Sequence, residues 1–118
     1  MTAGRDPVAV AALQYCAAGT SQETLAFLLP MIGEAAEQGG RIVSLPEAAT
    51  FLAPNRKVLE DEAEDESASP TLDALRTCAA GRGIDLHVGS IFLRRADGRL
   101  VNRAVMISPD GSVRAQYD

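Results

Sequence analysis

Two short apolar runs rich in β-branched residues, Val8–Leu13 (VAVAAL) and Arg41–Leu45 (RIVSL), bracket a segment with the spacing of a helix. Continuous runs of this kind suit strands covered on both faces, not strands with one wet face. Between them, Thr20 with Glu23 three residues later forms a capping box. Leu25, Leu28, Leu29, Ile32, Ala35 and Ala36 then recur at helical spacing as far as Gln38, and Gly39–Gly40 is a natural stop. Pro30 removes one backbone hydrogen bond at a cost of about 3 kcal/mol and predicts a kink. Start, stop and stripe agree on a helix in spite of it.

Pro46 breaks the second strand, and residues 48–68 show no clear period. Within them Glu60–Glu66 (EDEAEDE) holds six of the 16 acidic residues and reads as a solvated loop or a frayed helix. Ser69 as N-cap and Pro70 at the first helical position open a second helix, Thr71 to Ala80. Leu72, Leu75 and Ala79 give it a narrow apolar stripe, and Gly81 or Gly83 closes it. The rhythm then changes to strands: Ile84–Leu93, a hairpin signal at Asp97–Gly98, Val101–Ser108, and a second Asp–Gly pair at Asp110–Gly111 leading into Ser112–Tyr117. The order β-α-β-α followed by a strand meander predicts an α/β fold, a mixed sheet with two helices on one face. No internal repeat or linker divides the chain.

Composition narrows the function classes. A chain of 118 residues is one domain or part of one, with 47% hydrophobic and 23% charged residues, as in a globular protein. The 11 basic and 16 acidic side chains give a net charge of −5. Neither a basic nucleic-acid surface nor a polybasic membrane patch is present, so no nucleic acid and no membrane are expected as partners. No apolar stretch approaches the roughly 18 residues of a membrane span. Arg5 followed by Val8–Leu13 imitates a secretory signal, but Asp6 cancels the charge and Gln14 cuts the run short. Two cysteines, Cys16 and Cys78, stand 62 positions apart with a single histidine, His87, too few ligands for a disulfide scaffold or a structural zinc site. That usage fits a reducing compartment, and a cytoplasmic location is expected.

Chemistry-bearing residues are sparse. Leu45–Pro46–Glu47 places a carboxylate directly after a strand; from spacing alone it reads as a solvated acid. Lys57, the only lysine, reads as a surface residue. Cys16 reads as a small, partly buried thiol without a cationic neighbour to lower its pKa, and Cys78 as packing beside the second helix's stripe. His87 lies between Leu86 and Val88 on a predicted strand and reads as structural. Gly81-x-Gly83 lacks the third glycine of a phosphate loop, and neither a Walker motif nor GxSxG is present.

The ordered series VAVAALQ, EAAEQGGRIVSLPE, LHVGS and LVNRAVMISPDGSVRAQYD resembles the amino-terminal part of the nitrilase, or carbon–nitrogen hydrolase, superfamily. The closing segment is most similar to its amidase-like branch, near the omega-amidase and deaminated-glutathione-amidase enzymes. The resemblance implies the N-terminal part of a nitrilase-like α-β-β-α sandwich and a Glu–Lys–Cys triad. The family's glutamate follows a strand in an LPE-like motif, and the matching residue is Glu47, whose implied role is general base. A thiol with a pKa near 8.5 is mostly protonated at neutral pH and needs such a base within about 2.6–3.2 Å. The family's lysine, whose role is to stabilise the oxyanion, follows a tyrosine motif that here begins as Tyr117–Asp118, where the sequence ends; the nucleophilic cysteine lies further downstream. Gly89–Ser90 matches a glycine–serine at the end of a family core strand and implies close packing. Asn102 matches an asparagine expected to order a turn, Tyr117 stands by the pocket wall, and the loop around Phe51 varies with substrate.

The expectation for residues 1–118 is therefore a partial carbon–nitrogen hydrolase domain, inactive by itself, with no cofactor and no metal. Its family substrate is a small amide, hydrolysed with release of ammonia through a cysteine thioester. The alternative is a non-catalytic fragment or split-gene subunit acting through a partner chain. Half a sandwich leaves sheet surface uncovered, so a homo-oligomer or a complementing C-terminal segment is the expected partner.

Overall fold

The computed structural model describes residues 6–118; Arg5 of the signal-like segment lies outside them. The elements run β1 (Val10–Ala12), α1 (Ser21–Glu37), β2 (Ile42–Ser44), α2 (Arg56–Glu62), β3 (Glu64–Asp65), α3 (Pro70–Arg82), β4 (Asp85–Arg94), β5 (Leu100–Ile107) and β6 (Val113–Tyr117). They form one six-stranded sheet in the order β1-β2-β4-β5-β6, with β3 beside the second half of β4. β1, β2 and β4 are parallel, with Val43 opposite both Ala11 and Leu86. β4, β5 and β6 are antiparallel, with His87 opposite Met106 and Met106 opposite Ala115. The sheet is mixed, as the alternation of helices and strands followed by a meander predicts.

Local chemistry fixes the two long helices. The Thr20 side chain accepts from the Glu23 N–H at 3.2 Å and starts α1, which runs through Pro30 to Glu37. At α3, Ser69 Oγ accepts from the Leu72 N–H at 3.0 Å, Pro70 occupies the first turn, and Gly83 ends the helix with φ of 64°, a left-handed conformation that glycine adopts without strain. Both helices pack on one face of the sheet. Leu28 and Ile32 of α1 and Leu75 and Ala79 of α3 form a single core with Val43, Leu86, Val88, Val105 and Ile107. At about 25 cal/mol per Å2 of apolar surface, each of these large side chains contributes roughly 1.5–3 kcal/mol.

Neither α1 nor α3 covers the opposite face. Val10, Ile42, His87, Met106 and Tyr117 alternate with the core residues along their strands, so they share this face. Val10 is 61% exposed and Tyr117 79%.

Residues 48–68 depart in part from expectation. The stretch read as a solvated loop or a frayed helix forms a helix, α2, and a short strand, β3, and all six acids of the run are bonded, Asp61 to Lys57 and Asp65 to Arg94 among them. Glu60 pairs with Arg56 at 2.8 Å. Glu62 Oε1 accepts the Ser21 N–H at the start of α1 at 2.9 Å. Glu64 accepts from Ser69 Oγ, the Thr71 N–H and Thr71 Oγ1 at 2.6, 3.0 and 2.7 Å, closing the start of α3. Glu66 meets Arg103 at 3.0 Å. The run lacks a period because each carboxylate answers to a different partner. No helix among the described residues is long and apolar enough to cross a membrane.

Candidate active site

The parallel strands end together at one edge of the sheet. The Leu13 N–H donates to Ser44 O at 2.9 Å, and the Leu45 N–H to His87 O at 2.8 Å, so the chain leaves β1 and β2 and crosses β4 at one level. In open α/β sheets this carboxyl edge is where ligands gather, because the loops there converge on one crevice. Glu47 stands on it, three residues beyond the end of β2, exposed and without a side-chain hydrogen bond among the described residues.

The segment carrying Glu47 is held closely against β4. A Cβ at Gly89 would stand 2.5 Å from Leu45 O and from the carbonyl carbon and oxygen of Pro46, so only glycine lets the Leu45–Pro46–Glu47 backbone cross there. The register between β4 and β5 slips at this place, between Val88 and Ile91, which turns both Ser90 and Ile91 inward. Ser90 then bonds the segment twice: the Ala48 N–H donates to Ser90 Oγ at 2.8 Å and the Ala49 N–H to Ser90 O at 2.9 Å. Ala48 has φ of 47°, a left-handed conformation that side-chain-bearing residues avoid. From the other side, Tyr15 Oη donates to Ala49 O at 2.7 Å and the Leu52 N–H to Ala18 O at 2.9 Å. Burial pushes the Tyr15 hydroxyl pKa well above its ordinary value, so it remains a protonated donor across neutral pH.

Beyond this edge, Phe51 is buried with its ring centroid 5.7 Å from that of Phe92. Phe92 also lines a groove of about 790 Å3 between α2 and the β4–β5 hairpin, with Arg56, Leu59, Arg99 and Asn102 among its walls. Glu47 is not one of them.

The other candidates fall apart in space or in role. Lys57 is exposed and paired with Asp61 at 3.1 Å, the surface role expected for it. Cys78 packs against the core, and burial raises its thiol pKa against the opposing pull of Arg82. Cys16 is exposed, correcting the expectation of a partly buried thiol: the alternation that turns Leu13 and Tyr15 inward leaves it on the outer side. His87 Nδ1 lies 2.8 Å from Ser44 Oγ across two strands, a structural pairing. Asn102 sits inside β5 opposite Phe92, not in a turn. No three His, Cys, Asp or Glu side chains among the described residues are grouped to hold a metal ion. Two residues that sequence reasoning passed over or left as packing, Tyr15 and Ser90, make the side-chain bonds to the Glu47 segment. Their partners lie 34 and 42 positions away, and only the Gly89–Ser90 dipeptide gave any signal.

Residues 8–118 match the family model described as carbon-nitrogen hydrolase. The chain belongs to that family. No curated protein matches the sequence significantly. The fold of this carbon–nitrogen hydrolase chain is similar to that of the NitFhit protein of C. elegans, at TM-score 0.82 and 23% identity over 92% of this chain and 26% of that one. It is similar to an amidase from Nesterenkonia sp., at 0.79 and 23% over 93% and 41%. It also resembles Saccharomyces cerevisiae Nit3, a member of the nitrilase superfamily, at 0.80 and 18% over 93% and 43%. The chain thus spans between about a quarter and under half the length of these relatives, with the nitrilase-type α/β arrangement of strands and helices throughout.

Proposed function

We propose that this chain supplies the general base, Glu47, of an amidase-like carbon–nitrogen hydrolase whose lysine and cysteine come from sequence beyond it. The observation that carries this reading is the placement of Glu47: a carboxylate at the carboxyl edge of the parallel strands, exposed and without a hydrogen bond among the described residues, on a backbone bonded from both sides. In the reaction the carboxylate takes the proton of a cysteine thiol, and the thiolate attacks the carbon of a small amide. The tetrahedral oxyanion is stabilised by the lysine ammonium; it collapses with the proton transferred to the departing nitrogen, releasing ammonia and leaving a thioester. Glu47 then takes a proton from water, which attacks the thioester to release the acid and return the thiol. A glutamate-to-glutamine mutant of an amidase from Nesterenkonia sp. AN1, 22% identical over 94% of this chain and 43% of its own, is known with acrylamide joined to its active-site cysteine by Michael addition, so that protein carries the kind of cysteine this reading requires.

A second reading has its own support. Val10 and Tyr117 are exposed on the sheet face away from α1 and α3, which favours a non-catalytic fragment or split-gene subunit that works by packing against a partner chain, either a second copy or a separate chain that completes the domain. The intact mass of the protein in its source cell separates the two. A species much heavier than 12.4 kDa, with a lysine after Asp118 and a cysteine further on, supports the hydrolase; ammonia release from a small amide that Glu47→Gln abolishes then establishes the base. A 12.4 kDa species with no turnover overturns the hydrolase reading for this chain and supports the second.

A further inference from the structure

The Glu47 carboxylate makes no hydrogen bond of its own among the described residues, so its position depends on the backbone beneath it. Three bonds hold that backbone, and they come from two sides: Ser90 accepts from the Ala48 N–H at 2.8 Å and the Ala49 N–H at 2.9 Å, while Tyr15 donates to Ala49 O at 2.7 Å. The Tyr15 ring is itself fixed, edge-on to Phe27 of α1 with centroids 5.7 Å apart and planes at 77°. Ser90 is buried at the slip in β4 register. Between them lies Ala48, in a conformation that costs on the order of 1–2 kcal/mol for an L-residue and persists only when its surroundings impose it.

We infer that Tyr15 and Ser90 are positioning residues for Glu47, a two-sided clamp that keeps Ala48 left-handed and so fixes the direction in which the neighbouring carboxylate points. This rests on the reading of Glu47 as the base. Neither residue touches the reacting atoms; each acts through the backbone. Both bonds close on the two residues directly after Glu47, so loosening either lets the carboxylate drift. A misplacement of about 1 Å is enough to cost up to a hundredfold in rate.

The test compares Tyr15→Phe, which keeps the ring and its contact with Phe27, and Ser90→Ala with Glu47→Gln, all in the protein as its source produces it. Ammonia release from butyramide is followed across pH. Each clamp variant is expected to lower kcat tenfold or more with KM within about twofold. Ser90→Thr, which keeps the hydroxyl, should recover part of the loss. A Glu47→Gln protein with the unaltered rate overturns the base reading. Loss of turnover in Glu47→Gln alongside unaltered kcat in both clamp variants overturns the clamp alone. Hydrogen exchange on the 118-residue chain gives a second measure that needs no turnover. The Ala48 and Ala49 amides should exchange at least about tenfold faster in either variant while those of α1 and β4 do not change. Equal protection of both amides in all forms would overturn the proposal.

Discussion

Ala48 and Gly89 sit on either side of one backbone crossing, and each carries a prediction. Ala48 has φ of 47°. Glycine there relieves strain of about 1–2 kcal/mol and adds unfolded-state freedom worth about 0.5–1 kcal/mol, so Ala48→Gly should raise stability by about 0.5 kcal/mol in urea unfolding. Gly89→Ala should do the reverse. Its Cβ would meet backbone atoms of Leu45 and Pro46 at 2.5 Å, and backbone cannot swing aside as a side chain can. A loss of about 2 kcal/mol is expected, with the amides of residues 47–49 losing exchange protection first. The Leu45–Pro46–Glu47 motif was legible only through the family pattern. Of its supports, Gly89 and Ser90 carried only that pattern's hint of close packing and Tyr15 carried none, because its meaning comes from a contact 34 positions away.

Arg103 shows how elements are tied together across the sheet. It is only 8% exposed, donates from Nε and Nη2 to both oxygens of Asp118 at 2.5 and 3.0 Å, and reaches Glu66 at 3.0 Å. Its hydrogen bonds hold the Asp118 carboxyl below the usual carboxylate range. A depressed carboxyl pKa means that the pairing stabilises the fold above the ordinary pKa and is lost as pH falls through the folded one. A carbon-detected NMR titration should find Asp118 ionised below its ordinary midpoint, and Arg103→Gln should return it there. At α3, the Glu64 carboxylate meets Ser69 and Thr71, and Glu64→Ala should cost about 1–2 kcal/mol, read from thermal unfolding. The ends of α1 and α3 were readable because Thr20 and Ser69 bond three residues ahead. α2 was read only as an option, a frayed helix, although Asn55 bonds three residues ahead and Arg56–Glu60 and Lys57–Asp61 pair four apart; β3 was not readable, since Glu66 finds its partner 37 positions away, where no local pattern reaches.

For the molecule as a whole, the decisive asymmetry is between the sheet face covered by α1 and α3 and the face that carries Val10, Ile42, Met106 and Tyr117. The 118-residue chain alone should associate in a concentration-dependent way by light scattering, and Met106→Asp with Tyr117→Asp should shift it toward monomer. A wild-type chain that stays monomeric at high concentration and binds no hydrophobic dye would sink that expectation. The alternation of helix and strand made the mixed sheet readable in advance, because period and caps are local. That both helices leave one face bare also follows from β-α-β-α with a trailing meander.

The acidic run has a further consequence for how the chain tolerates change in length. Surface connections between elements ordinarily accept an extra residue with little effect, since nothing depends on their phase. Here Glu62, Glu64 and Glu66 stand two apart, and each is held by a different element: the first turn of α1, the first turn of α3 and the buried Arg103. One residue inserted after Ala63 would turn the downstream carboxylates to the opposite side, as a slip of one does in any strand. This stretch should therefore reject a single-residue insertion as firmly as the core does, despite its charge and its place at the surface.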